Sequence, residues 1–574
     1  MQRVKLDELK KVDLSSIEWT LFNALRGELC APNIVAGAFS LAFVMYSAKL
    51  KQKVFPFDVQ AFINTEIEDE SDRMFVKNSI AFGWENLFAV YDRFSIDQLL
   101  AFLIYWNPED SPFSIVDKTP DSVIEIAINI LNIKPNEAVA DFGTGLGSFL
   151  VEAFNYEQEA NYYGNDVDTA AIAMARIRGK LLGDNIEFKQ EDMFARKSTQ
   201  TFDKIFSNYP FGFRPRELRE GYVFLEKARD RFPNLSRATS PDWIFNSLIL
   251  DSLKTEGKAV AIMTNGGTWN SIDKPIREFF IKKGYIEMII ALPSNLFKYT
   301  NIPTSMIVLS HGNAEVRMID ATEMFEPGRR YNEVSKEQIK QILDLCQHST
   351  EKSKLVSLDT MVKQDYSLSP VRYLSPNMEI RNGVPFHTVI DRITRGASIR
   401  ASELDDLVSI EPTDTQYLML NNIQDGIIEE DLPFLRSLDK KYEKYFVKNN
   451  NLVISKNGAP FKVAVMERAH NHILANGNLF IIELDTSKID PYYLQAFFTS
   501  EAGIAALKSI SVGSSIQNIS MSALKELIIP LDEMEVQKRI AENFKIKLDE
   551  IAVHKYKHQK ALDEIKNVFS FEEV

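Results

Sequence analysis

Cysteine is nearly absent: Cys30 and Cys346 are the only two in 574 residues, too far apart for metal-binding or redox spacing. That excludes a disulfide scaffold and a cysteine-rich metal site. It fits a reducing cytoplasm with both thiols buried. Positive charge is in deficit, with 66 Lys and Arg against 80 Asp and Glu, a net charge of −14 and a pI near 5.3. A surface that is a nucleic-acid footprint throughout is therefore excluded. A local basic groove is not, because affinity depends on charges close to the phosphates. The N-terminus lacks the basic-then-apolar pattern of a secretory signal. The longest apolar run, Ile34 to Ala48, falls short of the ~20 residues that span a bilayer and reads as a core helix after Pro32-Asn33. There is no internal repeat, no low-complexity tract, no GxxxxGK[ST] loop and no nuclease motif. Any cleavage activity is expected to come from a partner.

What is present is an ordinary globular composition, 45% hydrophobic and 25% charged, long enough for two to four domains. Residues 1–113 read as a helical domain, with apolar positions at helical spacing through Trp19, Leu21, Phe22, Leu25 and Leu29. Residues 114–330 alternate short strand-like runs with helical stretches. Seven strands are expected, over 138–141, 162–166, 186–192, 202–207, 258–263, 286–292 and 304–309. That alternation predicts a doubly wound α/β sheet, with ligands at the carboxyl ends of its strands. Residues 331–375 read as a charged helical connection. Residues 376–532 are mixed, with strands at 416–420 and 479–484. Residues 533–574 hold one long helix whose apolar residues, Ile540, Phe544, Leu548, Ile551, Leu562 and Ile565, approach a heptad stripe. Lys555 and His558 interrupt it. The stripe predicts a homodimer.

Two motifs carry chemistry. The first runs from Asp141 through Gly143, Gly145 and Gly147, after a strand and before a helix. Glycines let such a turn tighten and approach a ligand. A glycine triad alone also suits dinucleotides, and Asp166 sits where a carboxylate binds ribose hydroxyls in either case. Asp141 discriminates: a carboxylate at the strand end suits a cofactor bearing a sulfonium and an ammonium, and repels a pyrophosphate. Asp192, after the third strand, could accept from an adenine amine. The bland alternative is a generic turn with solvated carboxylates.

The second motif is Asn208-Tyr209-Pro210-Phe211, after the strand Phe202 to Ser207. The Asn208 side-chain oxygen and the Tyr209 carbonyl can both accept from an exocyclic NH2. Such acceptors favour a pyramidal, nucleophilic nitrogen, while Phe211 stacks on a flipped base. Positioning and electrostatics suffice, without a strong general base. By itself this tetrapeptide is also a good turn. The following stretch is basic and aromatic: Arg214, Arg216, Arg219, Lys227, Arg229, Arg231 and Arg237 lie among Phe213, Tyr222, Phe224 and Phe232. It reads equally as a phosphate-contacting loop or, with Glu217, Glu220, Glu226 and Asp230 mixed in, as a solvated helix.

These motifs resemble the gamma-class amino methyltransferases that modify DNA adenine, and most of all the modification subunit of type I restriction-modification systems. Trp19 with Leu25-Arg26-Gly27 is similar to that family's helical N-terminal domain. Thr119-Pro120 resembles the pair preceding its cofactor strand. Asp141 to Gly147, Asp166 and Asp192 resemble its cofactor segments. Leu292-Pro293, Phe297 and Ile302 to Ser305 resemble its late sheet, and Asp365 to Tyr373 its closing segment. The likeness covers residues 15–375. The remainder resembles half of a type I specificity subunit, one target-recognition domain and one spacer helix. Its matching stretches are Tyr417 to Gly426, Asn451 to Lys456, Asn476 to Asn478, Pro491 to Leu494, Gly513 to Ile519 and Leu524 to Gln537.

The resemblance implies a Rossmann-like methyltransferase core, S-adenosyl-L-methionine as cofactor with no metal, and base flipping. It also implies sequence-specific binding of double-stranded DNA by residues 376–532. Lys440, Lys441, Lys444, Lys448, Lys456, Lys462 and Arg468 offer that domain a basic surface. It implies a cytoplasmic, nucleoid-associated protein of a bacterium or phage. One position departs: the family motif carries proline where this chain has Tyr209, so loop rigidity is not guaranteed. The rival readings are an inactive DNA-binding regulator, and amino transfer to cytosine N4, RNA or a protein glutamine.

Overall fold

The computed structural model describes residues 3–567 except 27–30, 55–56, 82–89, 109–118, 196–199, 213–218, 237, 299, 301, 375–379, 437, 459, 468–471 and 513–516. The chain forms two compact units, Met1–Pro370 and Val371–Val574.

The first unit opens with helices whose starts are written in the sequence. Asp13, Asp58 and Asp69 each cap a helix through a side-chain oxygen. Ser95 and Gln98 form a reciprocal capping box at helix Ile96–Tyr105. Helix Ala31–Leu50 runs longer than the apolar run suggested. Asn33–Leu50 is long and apolar enough to cross a membrane by length and composition, which corrects the sequence expectation. Yet 67% of it is buried inside the protein. A helix apolar on nearly every face needs neighbours all round, and Phe39, Leu41, Val44 and Met45 are fully buried.

The sheet has nine strands: β1 Ala138–Phe142, β2 Asn161–Asp166, β3 Ile186–Gln190, β4 Phe202–Ser207, β5 Leu253–Thr264, β6 Ile286–Ala291, β7 Thr304–Leu309, β8 Glu315–Asp320 and β9 Ser353–Ser357. Their order is β3-β2-β1-β4-β5-β7-β6-β8-β9. The first five are parallel. β7 runs antiparallel between β5 and β6, and β9 is an antiparallel edge. The α/β sheet is therefore mixed, parallel from β3 to β5 and antiparallel at β7 and β9. The strand order reverses between β1 and β4, and the crevice beyond their carboxyl ends is where such sheets hold ligands.

Residues 331–375 are not a helical connection. Helix Lys336–Leu345 buries Ile339, Ile342 and Leu345 in the core, and Ser353–Ser357 is strand β9. Both strands missed by the sequence reading, β8 and β9, are short and rich in charged or polar residues.

The helices and the sheet share one hydrophobic core. Arg178, on helix Thr169–Leu182, ties them together. Its guanidinium is fully buried and donates to the carbonyls of Leu103 and Leu146, each at 2.9 Å, and to that of Trp106. Burial pushes it down to about 10. Cys346 is half-buried, and burial pushes its thiol up to about 12; Cys30 lies outside the described residues.

The second unit holds a four-stranded antiparallel sheet in the order Ile390–Arg395, Leu479–Leu484, Leu452–Ser455, Val463–Val465, and a five-stranded mixed sheet around Thr415–Leu418 and His472–Ala475. Helix Met534–Asn567 has 34 residues, about 51 Å. Gln537 seats its start, accepting from the Asp490 amide at 2.9 Å and donating to the Lys488 and Asp532 carbonyls. Past Lys555, which pairs with Asp425 at 2.7 Å, Tyr556, Leu562 and Ile565 are exposed.

Candidate active site

The switch point between β1 and β4 holds a cleft lined by Asn107, Thr119, Asp141, Gly143, Thr144, Gly145, Leu146, Ser148, Phe149, Phe206 and Asn208. Five of the residues singled out in the sequence meet there: Thr119, Asp141, Gly143, Gly145 and Asn208.

Asp141 is the penultimate residue of β1 and is 2% exposed. The Thr144 hydroxyl donates to its Oδ2 at 2.8 Å. Burial pushes this carboxyl up to about 7. The Thr144 hydrogen bond acts against that rise and the neighbouring Asp166 charge adds to it. No ion pair joins Asp141 among the described residues. The loop that follows uses left-handed backbone at Gly143, Gly145 and Gly147. The three glycines do different work. A side chain on Gly145 would meet nothing within 4 Å, whereas one on Gly147 would strike the Phe188 ring at 2.9 Å. Gly147 therefore packs the sheet and starts helix Ser148–Tyr156, outside the cleft lining.

Asp166, at the end of β2, accepts from the Gly145 amide at 2.8 Å and from the Asp168 amide at 3.0 Å. It thus fixes the glycine loop from below. Asp192 follows β3, half-buried, accepting from the Phe194 amide at 2.9 Å. Its neighbour Met193 stands 3.4 Å from where a Gly143 side chain would lie. Asp166 and Asp192 flank the cleft and do not line it. Pro120 caps helix Asp121–Leu131, next to Thr119.

Asn208 follows β4. Its Nδ2 donates to the Thr119 hydroxyl at 2.9 Å, and its Oδ1 is buried without a hydrogen-bond partner among the described residues. A buried amide oxygen left unpaired costs about 1–3 kcal/mol, so it marks a place prepared for a donor. Tyr209 turns the other way: its ring is 1% exposed and stacks on Phe245, centroids 4.5 Å apart. Its side chain is therefore not part of the cleft lining. Pro210 is exposed. Phe211 is half-buried, edge-on to Phe297 at 5.3 Å.

The sequence reading missed Asn107, Thr144 and Ser148. Thr144 carried a signal, a hydroxyl inside the glycine loop. Asn107 carried none, since it follows a helix far upstream. Of the basic, aromatic stretch after the motif, residues 213–218 and 237 lie outside the described residues, as do the side chains of Arg219 and Tyr222. Phe224 and Phe232 are buried, Phe224 near Phe194 and Phe232 stacked on Phe280, so neither is free to stack on a base. Arg231 pairs with Asp251.

In the second unit Lys441 pairs with Asp439 at 3.1 Å and Lys448 with Glu483 at 2.7 Å, while Lys462 donates to the Leu420 carbonyl at 3.0 Å. Partial burial and the Arg395 charge hold Lys456 below its usual range. Arg468 lies outside the described residues.

Residues 118–381 match the family model for N-6 DNA Methylase, and residues 406–563 that for the Type I restriction modification DNA specificity domain. The type I restriction enzyme MjaVII methylase subunit of Methanocaldococcus jannaschii is 26% identical over 290 residues, 45% of this chain and 49% of that one. The MpnII methylase subunit of Mycoplasma pneumoniae is 20% identical over 336 residues, 53% of this chain and 61% of that one. This chain spans about half the length of the first of these relatives. Among solved structures, a type I restriction-modification system methyltransferase subunit from Streptococcus thermophilus is 18% identical with a TM-score of 0.48, covering 62% of this chain and 98% of that one. The type IIG restriction endonuclease BpuSI is 13% identical with a TM-score of 0.48, covering 92% of this chain and 74% of that one.

Proposed function

We propose that this chain, an N-6 DNA methylase domain joined to a type I restriction modification DNA specificity domain, methylates N6 of adenine in double-stranded DNA. The observation that carries the reading is the Asn208 amide: its nitrogen is held by Thr119 and its buried oxygen lacks a partner. That oxygen and the Tyr209 carbonyl match the two hydrogens of an exocyclic amine.

The cleft also fits S-adenosylmethionine. A buried carboxylate with no ion-pair partner among the described residues, Asp141, stands beside two left-handed glycines, Gly143 and Gly145, that open the backbone to a ligand. When bound, the cofactor supplies the methyl group and a sulfonium that leaves as a neutral sulfide. Asp141 would meet its cationic end, with Asp166 and Asp192 toward its ribose and base. Asn208 and the Tyr209 carbonyl accept from the amine, aim its lone pair at the methyl carbon and stabilise the positive charge that builds on nitrogen. One amine proton then passes to water. Phe211 offers the base an aromatic neighbour once it leaves the duplex. Burial of the Tyr209 ring favours an active enzyme over an inert binder, because the substituted position puts no bulk into the cleft.

The specificity domain would choose the sequence, and the exposed apolar end of helix Met534–Asn567 would pair two copies across a bipartite or palindromic site. A separate restriction subunit would do any cutting. Incubation with labelled S-adenosylmethionine and mixed genomic DNA tests the reading. N6-methyladenine is the expected product; DNA binding without transfer, or label in cytosine, overturns it. Asn208→Ala should abolish transfer and leave cofactor binding intact, and unchanged turnover would remove Asn208 from the site.

A further inference from the structure

Position 209 is where the chain departs from the proline of its motif, and its side chain is among the most buried in the molecule. The ring lies parallel to Phe245, with planes 9° apart, and Phe245 contacts Phe194 at 5.1 Å. The hydroxyl is turned toward Asp242 and Asn246 without a hydrogen bond of standard geometry. All three partners stand on helix Pro241–Asp251.

Asp242 has a second task. It is 7% exposed and accepts from both the amide of Thr264, at 3.0 Å, and its hydroxyl, at 2.6 Å. Thr264 is the last residue of β5. Asn265, next in the chain, accepts from the Ser305 hydroxyl at 2.6 Å and donates its amide to the Pro303 carbonyl at 2.9 Å. One helix thus reaches the loop after β4 through Tyr209 and the end of β5 through Asp242.

The geometry points to Tyr209 and Asp242 as a positioning pair that braces the Asn208–Tyr209 backbone against helix Pro241–Asp251. Proline limits a loop by closing a ring on its own backbone. Here a buried aromatic side chain sets the same loop by packing. A loop residue whose buried ring is stacked on Phe245, with its hydroxyl toward Asp242, cannot rotate its carbonyl without emptying that pocket, and interiors resist such voids. Neither side chain touches substrate. Their effect is on where the two acceptors point, and a displacement near 1 Å can cost on the order of 100-fold in rate.

The activity readout rests on the methyl-transfer reading, so the test includes a second readout that does not. Full-length wild type, Tyr209→Phe, Tyr209→Ala and Asp242→Ala are compared in three measurements. These are kcat and KM for DNA, calorimetric Kd for S-adenosylmethionine, and amide hydrogen exchange across residues 208–212 and at Thr264. Tyr209→Ala should lower kcat about 100-fold, leave Kd within about twofold and speed exchange at the loop while β1 stays protected. Tyr209→Phe keeps the ring and should retain kcat within about fivefold and the loop protection. Asp242→Ala should release Thr264 as well as the loop. Wild-type kcat and exchange in Tyr209→Ala would overturn the pair. So would loss of Kd and of β1 protection together, which marks general support of the fold. A wild type that transfers no methyl, yet whose loop loosens only in Tyr209→Ala and Asp242→Ala, would sink the enzyme reading and uphold the brace.

Discussion

If Asp141 meets the cationic end of S-adenosylmethionine as proposed, cofactor affinity should depend on pH, and the size of the effect follows from its burial. Its carboxyl is pushed from an ordinary 3.8 up to about 7. A carboxyl raised by folding is neutral in the folded protein below that value and charged above it. Stability is therefore intact below about pH 4, falls as pH rises toward 7 and is lowest above it. The difference of about 3 units corresponds to about 4 kcal/mol. A cation in the cleft binds the charged form and relieves that cost. At pH 6 about a tenth of the molecules have Asp141 ionised, and at pH 7.5 about three quarters. The Kd for S-adenosylmethionine should therefore be about eightfold weaker at pH 6. The window stops at 7.5 because an α-amino group itself titrates near 7.7–8.0. Calorimetry in buffers of different ionisation heat should detect close to one proton released per cofactor at pH 6 and far less at 7.5. Asp141→Asn should bind weakly and without pH dependence, yet melt higher than wild type at pH 8 in the absence of cofactor. Equal Kd at both pH values, with no proton released, would refute the assignment of Asp141 to the cationic end.

Thr119→Val removes the acceptor that orients Asn208, so kcat should fall about tenfold while cofactor Kd holds; a wild-type rate would mean that the amide is oriented by something else. Gly147→Ala forces a methyl against Phe188 in left-handed backbone, which should destabilise the first unit by about 2–4 kcal/mol, seen as a Tm lower by several degrees. Truncation after Lys555 removes Tyr556, Leu562 and Ile565 and should convert a dimer to a monomer in analytical ultracentrifugation. A full-length chain that sediments as a monomer with and without DNA ends the dimer proposal.

β4 and β7 fall on the residues that the sequence reading predicts: β7 is buried throughout and carries the apolar run Met306 to Leu309, while β4 keeps Phe202, Ile205 and Phe206 buried around the half-buried Asp203 and Lys204. β8 and β9 escaped, since Arg317, Lys354 and the flanking charges dilute a signal only five or six residues long. Asp141, Gly143, Gly145 and Asn208 were readable because strand, loop and helix follow one another locally and each type has a chemical reason to be there. Thr119 was found through family likeness and not through its own chemistry; its bond to Asn208 spans 89 residues. The fate of Tyr209 was invisible, because nothing in a tetrapeptide tells whether an aromatic ring faces a ligand or a helix 30 residues downstream. The packing constraint on Gly147 was hidden for the same reason: it is Phe188, two strands away.

Arg178 carries a lesson about where this protein can be cut. Its guanidinium holds the Leu146 carbonyl of the glycine loop with one nitrogen and the carbonyls of Leu103 and Trp106 with the others. Removing the N-terminal helices would leave a charged group facing the vacated space and a cofactor loop missing its anchor. The helices and the sheet are therefore one inheritance: an engineer or a recombination event that exchanges the first unit must carry residues from the first helices to Pro370 together. The separable joint lies after Pro370, where the contacts of the first unit end.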